Sequence, residues 1–532
     1  MNLAWWLESA TWEHGGKKAI IHGDETSLTY NELNGMANKI GNILKDDYDV
    51  QEDDRVCVHL PDDGWLIAII FASFKIGAIY CGLNRGQIYD KFKYDISITK
   101  PKVLVTNNQF LESAKKLQQD ADFKIILCQD SEGEYPNLKY LVKNSSDHLR
   151  IRPRANKDIC IINFTAGTSG PSKGVILTHG TLGQSLLTAH FWYGLKASDT
   201  LLTGLPLFHT GGLNNVFSSI LGRATIIHTG GWDAEKFISF LDKYKPDWLY
   251  LFVPTMVRDM ARRERYKQLD LSNLKVMLAG EPVPEEVHQM LRKQGARTLC
   301  AYGMTEIMPF AATSSSFYYH DDDILPASSA GKTNKEFVEV KLVDPQTGKE
   351  IKEPDTSGEV LIRGDILTPG YYNNAEMTKE NIDPDGWFHS KDMAYSDKDG
   401  WYFISGRTDD IINTGGEKLS LLEVEKCLLA SPIVKDAACI GVPHDKFGYV
   451  PAAFIEPVDK NTTEEQLKTA LDNHCKKELE RWKRPRLYIK MEEIPRTMAK
   501  RTRDMTKLKK IIKGIEVKEA DGVVTLKEIK KS

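Results

Sequence analysis

A glycine-rich segment at residues 164–174, FTAGTSGPSKG, is the strongest chemical signal in this sequence. It continues the apolar run CIINF and places three glycines and four hydroxyl residues around a single lysine. The backbone N–H groups and hydroxyls of such a loop can surround a polyphosphate. Ser172 stands where a Walker loop requires its second glycine, so this is not a Walker loop. A flexible glycine–serine turn is the alternative interpretation.

Hydrophobic periodicity predicts the elements that position this loop. Apolar runs at 55–59, 103–106, 124–127, 160–164, 224–228, 248–253 and 275–279 alternate with segments of helical period. This alternation favours parallel α/β layers. From about residue 335, turn residues separate the runs VEVKLVD, GEVLIRG and GWYFISG, which predicts an antiparallel β region. After residue 406 a shorter α+β pattern has helices near 422–430 and 463–480 and strands at 437–442 and 486–491.

Composition narrows the function classes. The 532 residues include 70 Lys+Arg against 74 Asp+Glu, a formal charge of −4, with 41% hydrophobic residues. This balance excludes disorder, collagen-like repeats and a strongly basic nucleic-acid binder as descriptions of the whole chain. The eight scattered cysteines have no metal-ligand spacing and indicate reduced thiols in a cytoplasmic protein. We expect no export signal, and we expect the apolar stretch at 65–83, interrupted by Lys75, to be a buried helix running into a strand.

The glycine-rich loop resembles the phosphate-binding signature of the adenylate-forming superfamily of acyl-CoA synthetases, adenylation domains and luciferases. Further matches follow in the family's order: LPLFHTGG at 205–212, AGEP at 279–282, YGMTE at 302–306, GEVLIRG at 358–364, GWFHSKD at 386–392, GRTDDII at 406–412, GGEKLSLLEVE at 415–425 and IPRT at 494–497. The resemblance covers roughly residues 20–510. It implies a large N-terminal domain of layered α/β subdomains plus a β region, and a small mobile α+β C-terminal domain.

The same resemblance implies the domain limits: an N-terminal AMP-binding domain at 1–406, a hinge at 407–409, a C-terminal domain at 410–512 and a charged tail of weak pattern at 513–532. The hinge residue would be Asp409, about which the small domain rotates so that one active site serves two half-reactions. Gly415 and Gly416 would then line the pantetheine tunnel of coenzyme A, although by themselves they read as a turn.

Activating a carboxylic acid with ATP develops negative charge on the α-phosphate as pyrophosphate leaves, so the site needs fixed donors and a metal ion. The resemblance assigns the nucleotide contacts to Thr165, Gly167, Thr168, Ser169, Gly170, Lys173, Gly280, Glu281, Pro282, Tyr302, Gly303, Met304, Asp392 and Arg407. Thr305 would bond the α-phosphate, and Glu306 would bind Mg²⁺ through carboxylate oxygen. Asp392 offers two acceptor oxygens to the ribose diol. The family usually has Thr-Gly before this aspartate, where this chain has Ser390 and Lys391.

The C-terminal signature departs from the family pattern, which is Pro-Arg-Thr, two variable residues, Gly and the adenylation lysine. Without a gap, Lys500 takes the glycine position and Arg501 the lysine position. With a one-residue deletion, Lys500 becomes the catalytic lysine, which is the assignment that we favour. Lysine is a compact charge and arginine a planar fork, so the two are not interchangeable.

The resemblance also implies an acyl pocket, with the histidine of LPLFHTGG, His209, beside the reacting carboxylate. The other wall residues would be Gly211, Gly212, Pro254, Thr255, Met256, Met304 and Met308. Amino-acid-activating relatives usually place an aspartate near this region, and LPLFHTGG has none. This favours a plain carboxylic acid of undetermined chain length and aromaticity.

The sequence therefore predicts a carboxylic acid–CoA ligase that uses ATP, Mg²⁺ and coenzyme A, with Lys500, Thr305, Glu306 and His209 as catalytic residues. An enzyme that loads a carrier protein in trans and a catalytically impaired nucleotide-binding regulator stay open as alternatives. The stretch 476–513 has a net charge near +10, which would attract the phosphates of coenzyme A; it lacks the interleaved aromatics of a nucleic-acid site. We expect no nucleic-acid partner and no integral membrane segment, and a homodimer is left open.

Overall fold

The computed structural model describes the chain except residues 131–133, 166–171, 282, 309–311, 314–325, 327–328, 334–337, 445, 498–502, 514, 521–522 and 529–532. At 191–192, 312–313, 409, 418, 515–520 and 523–528 it describes the backbone alone. The chain forms two compact units, unit 1 of residues 1–340 and 362–388, and unit 2 of residues 341–361 and 389–532. The predicted domain boundaries at 406 and 410 stay a prediction.

The helices are α1 (Ala4–His14), α2 (Tyr30–Asn42), α3 (Gly64–Ile76), α4 (Tyr89–Thr99), α5 (Leu111–Gln118), α6 (Leu138–Leu141), α7 (His179–Tyr193), α8 (Thr210–Leu221), α9 (Ala234–Tyr244), α10 (Pro254–Ala261), α11 (Glu285–Arg292), α12 (Ala375–Asn381), α13 (Leu421–Leu429), α14 (Glu464–Glu478) and α15 (Met505–Ile511). Among the described residues, no helix combines the length and the apolar character needed to span a bilayer.

The strands are β1 (Lys18–Ile21), β2 (Ser27–Thr29), β3 (Arg55–Val58), β4 (Ile79–Gly82), β5 (Val103–Thr106), β6 (Lys124–Leu127), β7 (Ile159–Thr165), β8 (Lys173–Thr178), β9 (Thr200–Thr203), β10 (Thr225–His228), β11 (Trp248–Phe252), β12 (Lys275–Leu278), β13 (Arg297–Tyr302), β14 (Ala312–Thr313), β15 (Lys332–Thr333), β16 (Glu339–Val343), β17 (Glu350–Ile351), β18 (Gly358–Arg363), β19 (Phe388–Ser396), β20 (Tyr402–Arg407), β21 (Ile411–Thr414), β22 (Glu417–Ser420), β23 (Val434–His444), β24 (Gly448–Pro457), β25 (Leu487–Lys490), β26 (Ile515–Ala520) and β27 (Val523–Glu528).

Unit 1 contains two sheets with parallel cores. One has the order β15-β14-β13-β12-β11-β9-β10-β1-β2, and the other has the order β6-β5-β3-β4-β7-β8. Strands β9 to β13 pair in parallel in the first sheet, and β3 to β6 do so in the second. A strand that is buried on both faces is apolar along its length, so it appears in the sequence as a continuous apolar run. Such runs predicted several strands of these two sheets.

The apolar stretch at 65–83 folds as predicted, into α3 followed by β4. Asp63 caps α3 by accepting a hydrogen bond from the Leu66 N–H, and Gly77 ends it with φ +79°. The interrupting charge of Lys75 is buried, with its Nζ 2.6 Å from the Glu8 carboxylate of α1. A buried lysine is tolerated when it is paired in this way.

Unit 2 contains most of a five-stranded sheet, β17-β16-β18-β19-β20, in which β16 pairs with β17 and β19 with β20 in antiparallel fashion, and a sheet of order β22-β21-β24-β23-β26-β27 with β25 on β24. One face of the β23–β24 pair packs against α13 and α14, and residues on the other face, such as Ile440 and Phe454, pack with Leu508 and Ile512. Within the predicted C-terminal tail, β26 and β27 pair as antiparallel strands, which the sequence analysis did not predict. The signal it missed is Asp521-Gly522 between two alternating apolar and polar runs, a strong hairpin indicator.

Candidate active site

The predicted phosphate loop connects two strands that pair with each other. Strand β7 ends at Thr165 and the antiparallel β8 begins at Lys173, and these two residues are direct partners across the ladder. The predicted contacts Gly167, Thr168, Ser169 and Gly170 lie outside the described residues. The structure therefore places the first and last predicted phosphate ligands side by side at one end of a hairpin.

Lys173 and Glu306 are brought together by a tyrosine that the sequence analysis did not single out. The Tyr371 hydroxyl donates to Glu306 Oε1 over 2.9 Å, and Lys173 Nζ lies 5.6 Å from the centre of the Tyr371 ring. The backbone of Tyr371 also forms an isolated antiparallel β-bridge with Val175 of β8, and the Tyr372 N–H donates to the Gly174 carbonyl. Burial and the neighbouring Glu306 carboxylate raise the pKa of Tyr371, so it stays a neutral donor. Tyr371 lies in the sequence TPGYYNN, which has no hydrophobic periodicity that could have predicted this contact.

The YGMTE segment forms the end of β13 and the turn after it. Tyr302 is the last residue of β13, and Thr305 and Glu306 begin a short 3₁₀ helix, Thr305–Ile307. Thr305 is buried, with its hydroxyl 3.4 Å from that of Thr210 at the start of α8. Tyr302, Gly303, Met304 and Glu306 are half-buried, so this turn presents its surface at the carboxyl end of a parallel strand. That edge is where open α/β sheets bind ligands.

His209 lies at the N-terminus of the buried helix α8. Its Nδ1 accepts a hydrogen bond from the Gly211 N–H over 3.1 Å, so the ring caps this helix. Gly212 has a packing reason to be glycine, because an added Cβ would lie 2.3 Å from the Pro206 carbonyl oxygen. Gly212 therefore adds no room to an acyl pocket.

The LPLFHTGG loop is held by an ion pair that the sequence analysis missed. Asp62 accepts a hydrogen bond from the Leu207 N–H over 2.8 Å and pairs with Arg85. The Arg85 guanidinium lies 5.9 Å from the centre of the Phe208 ring. Residues 62 and 207 are far apart in the chain, and no sequence pattern links them.

The Gly280-Glu281 turn follows β12, and Gly280 has φ +88°, which glycine adopts freely. Glu281 Oε1 accepts from the Thr255 backbone N–H at 2.5 Å and from its hydroxyl at 2.7 Å. The Glu281 side chain is thus occupied at the start of α10, among the predicted acyl-pocket residues Pro254, Thr255 and Met256. The contact of this segment's backbone with adenine stays a prediction. Pro282 lies outside the described residues.

Met308, the last predicted wall residue of the acyl pocket, is buried with φ +42°. The Ser185 hydroxyl of α7 donates to its carbonyl over 2.6 Å. Its backbone is therefore tied to the helix that follows β8.

In unit 2 the predicted ribose contacts face each other. Asp392 and Arg407 are direct partners on β19 and β20, and Arg407 Nη1 donates to Asp392 Oδ1 over 2.7 Å. Lys391, where the family usually has glycine, has φ +61°, a left-handed conformation that glycine adopts without strain. Its N–H donates to the buried Glu359 carboxylate over 3.1 Å. Lys391 thus keeps the glycine backbone geometry at a cost of roughly 1 kcal/mol.

The remaining predicted residues of unit 2 lie in or beside turns. Asp409 is in a 3₁₀ helix, Thr408–Asp410, and its side chain is not described. Gly415 and Gly416 form the two-residue turn between β21 and β22, with φ +63° and +94°. Two successive positive φ values are typical of a type I′ hairpin turn, which explains both glycines. Lys500 and Arg501 lie outside the described residues.

Glu306 suits a magnesium ion as a single carboxylate ligand. Among the described residues, no group of three or more His, Cys, Asp or Glu side chains could hold a metal ion. Mg²⁺ commonly binds one or two carboxylates together with substrate phosphates and water, so such a cage is not required. Glu306 is half-buried, and the hydrogen bond from Tyr371 occupies only its Oε1. The donor set fits a Mg²⁺ that arrives with a nucleotide.

Two family models match the chain. The model of the AMP-binding enzyme matches residues 7–372, and the model of the AMP-binding enzyme C-terminal domain matches residues 423–501. The chain belongs to the AMP-binding enzyme family. This confirms the family that the motifs predicted, and the first model spans both the hairpin of Thr165 and Lys173 and the Tyr371–Glu306 contact.

Relatives of this AMP-binding enzyme cover nearly its full length. An indoleacetate–CoA ligase of Aromatoleum aromaticum is 27% identical over 510 residues, 93% of this chain and 96% of that protein. ATP-bound MatB from Rhodopseudomonas palustris has a TM-score of 0.86 at 25% identity, covering 96% of this chain and 99% of that chain. An anthranilate CoA ligase in complex with anthranoyl-AMP has a TM-score of 0.86 at 26% identity, covering 96% and 97%. The predicted α/β fold class of the adenylate-forming enzymes is confirmed.

Proposed function

We propose that this protein is an AMP-forming carboxylic acid–CoA ligase. The observation that carries the proposal is the meeting of Lys173, Tyr371 and Glu306 in unit 1, which brings a cation, a neutral donor and a carboxylate together from separate parts of the chain. This set suits a nucleotide polyphosphate with its metal ion. The relatives named for CoA ligation support the same reaction class.

The reaction has two displacements. A carboxylate oxygen of the acid attacks the α-phosphorus of ATP, the P–O bond to pyrophosphate breaks, and acyl-AMP forms. The sulfur of coenzyme A, losing its proton, then attacks the acyl carbon, and AMP leaves. Holding both reactants in one site makes each attack effectively intramolecular, which is worth several kcal/mol of the barrier.

In our proposal Lys173 and Thr165, with the loop between them, hold the terminal phosphates. Thr305 donates to the α-phosphate, and Glu306 holds Mg²⁺, which would neutralise the charge of the departing pyrophosphate. Tyr371 orients the Glu306 carboxylate by its hydrogen bond. Tyr302 and the backbone of Gly280 and Glu281 receive the adenine.

The ribose hydroxyls bind Asp392, whose orientation Arg407 fixes from the neighbouring strand. His209 lies beside the acid carboxylate, with its orientation set by the Gly211 N–H. Lys500, or Arg501 in its place, supplies the cation that bridges the acid and the α-phosphate.

The proposal is tested by incubating the purified chain with ATP, Mg²⁺, coenzyme A and a panel of short, medium, branched and aromatic acids. Acyl-CoA and AMP are quantified by mass spectrometry. We expect acyl-CoA from at least one acid, with AMP in equal amount. Acyl-AMP or AMP without a thioester would point to a carrier-protein acceptor instead. A folded protein that yields neither product with any acid would support the nucleotide-binding regulator.

A further inference from the structure

Two arginines that flank the adenylation segment pair directly with each other in unit 2. Arg496 and Arg503 form an antiparallel bridge, and the Asp504 N–H donates to the Pro495 carbonyl over 2.6 Å. Cα atoms of such a pair lie roughly 5 Å apart. The residues on either side of segment 497–502, which includes both Lys500 and Arg501 in the sequence, are therefore direct neighbours.

Arg496 and Arg503, which we call the two stems of segment 497–502, both contact Asp436, a buried carboxylate of β23. Arg496 contacts Asp436 Oδ2, and Arg503 donates from Nε to Oδ1 over 2.9 Å. Burial by itself would raise the pKa of Asp436, but the charges of Arg503 and Arg496 outweigh it and hold this pKa below its usual range. The carboxylate is therefore ionised and engaged on both of its oxygens.

A second buried carboxylate fixes Arg503 from another direction. Arg503 Nη1 lies 2.7 Å from Glu425 Oε2 of α13, and Glu425 Oε1 accepts from the Cys439 N–H over 2.7 Å. The planar guanidinium thus spans a strand and a helix at once, which a point charge cannot do. We call the set Glu425, Asp436, Arg496 and Arg503 the stem clamp.

The stem clamp is a poor source of stability. Two arginines and two carboxylates cancel in charge, and burying such groups costs about as much as their attraction returns. Apolar residues of similar size would stabilise this position at least as well. The ion pairs instead fix the positions of the two arginines from which segment 497–502 begins and ends.

We propose that Asp436 is a positioning residue for the adenylation half-reaction, because it fixes both stems of the segment that carries Lys500 and Arg501. The inference rests on the proposed function, in which one of these two side chains bridges the acid and the α-phosphate. Thioester formation starts from acyl-AMP and needs no such bridge. Loss of the stem clamp therefore slows the first half-reaction selectively.

The test compares the two half-reactions in full-length Asp436→Asn. The first is followed by ATP–pyrophosphate exchange with the preferred acid, and the second by single-turnover conversion of synthetic acyl-AMP and coenzyme A to acyl-CoA. We expect exchange to fall by at least about tenfold, equivalent to 1.4 kcal/mol of transition-state stabilisation. We expect the second rate to stay within about threefold of the wild-type rate, on the same scale.

The matched control is Glu423→Gln. Glu423 of α13 pairs with Lys483 Nζ over 2.8 Å, so this variant removes an ion pair from the same helix without touching either stem. Both of its half-reactions should stay at the wild-type rate. Arg503→Lys keeps the charge but not the fork, and it should reproduce the selective loss. If circular dichroism shows that Asp436→Asn is unfolded, Arg496→Gln takes its place in the test, because this variant removes the contact of one stem only.

Lys500→Ala and Arg501→Ala, measured in the same way, identify the adenylation residue, since one of them must show the same split. The inference is overturned if folded Asp436→Asn loses both half-reactions equally or keeps both, or if neither alanine variant shows the split. A wild-type protein that fails both half-reactions with every acid would refute the proposed function instead.

Discussion

Three carboxylates of unit 1 differ in their surroundings, and this decides what each can do. Asp62 is buried against Arg85 and the Leu207 N–H, so it holds a loop. Asp95 is buried on α4 with a hydrogen bond from the Gln87 amide. Glu306 is half-buried and oriented by a neutral tyrosine. Of these three, Glu306 alone combines a fixed orientation with access for a metal ion.

The Tyr371–Glu306 hydrogen bond is tested by Tyr371→Phe, which removes the donor and keeps the ring. A hydrogen bond to a charged group contributes about 1.5–3 kcal/mol. We expect the Mg²⁺ concentration for half-maximal pyrophosphate exchange to rise by about tenfold or more. The control is Tyr372→Phe, because Tyr372 packs against the core of the six-stranded sheet instead. An unchanged Mg²⁺ dependence in Tyr371→Phe would show that this tyrosine does not orient the metal ligand.

Asp95 gives a prediction about pH. Burial raises the pKa of Asp95 to about 7, while in the unfolded chain it is about 3.9. Between these two values the folded state holds a proton that the unfolded state lacks, so stability falls as pH rises, by at most about 1.4 kcal/mol per unit. Asp95→Asn removes this dependence and still offers Gln87 an acceptor. Urea midpoints at pH 5 and pH 8 should be closer together in the variant, which should be more stable than wild type at pH 8; a parallel pH dependence would contradict this.

At the scale of elements, the sequence predicts about half of the described strands but few of their contacts. Runs such as 103–106 and 124–127 become β5 and β6 with the expected bounds, because buried strand positions are mostly apolar. Contacts between distant residues leave no such pattern. Tyr371 reaches Glu306, and Asp62 reaches Leu207, only because the sheets bring together separate parts of the chain. The candidate site was therefore found through motifs, whereas its supporting residues were not.

The close approach of α8 to the LPLFHTGG loop is tested by Gly212→Ala. Alanine favours a helix over glycine by about 1 kcal/mol, so propensity alone predicts stabilisation. The added Cβ would instead lie 2.3 Å from the Pro206 carbonyl oxygen. We expect net destabilisation of about 1–3 kcal/mol, measured as a lower melting temperature. Gly16→Ala is the control, since no atom lies within 4 Å of its added Cβ. Equal melting temperatures for the two variants would contradict the predicted clash.

At the scale of the whole molecule, one chain has to carry out two displacements with different nucleophiles. The motifs predict that Asp409 is the hinge that allows this. Asp409 lies in the 3₁₀ helix Thr408–Asp410, where φ near −60° is usual. Proline fixes φ near −65°, so it can adopt this conformation while excluding other values of φ. Asp409→Pro should therefore fold and yet lack the freedom that a hinge needs.

We expect Asp409→Pro to keep one half-reaction within about threefold and to lose the other by at least about a hundredfold, or 2.7 kcal/mol. Asp409→Asn, which keeps the backbone free, should retain both. The same two assays separate the hinge from the stem clamp, because Asp436→Asn should lose only the first half-reaction and should lose it less completely. If Asp409→Pro is folded and catalyses both half-reactions at the wild-type rate, rotation about this residue is not required for catalysis.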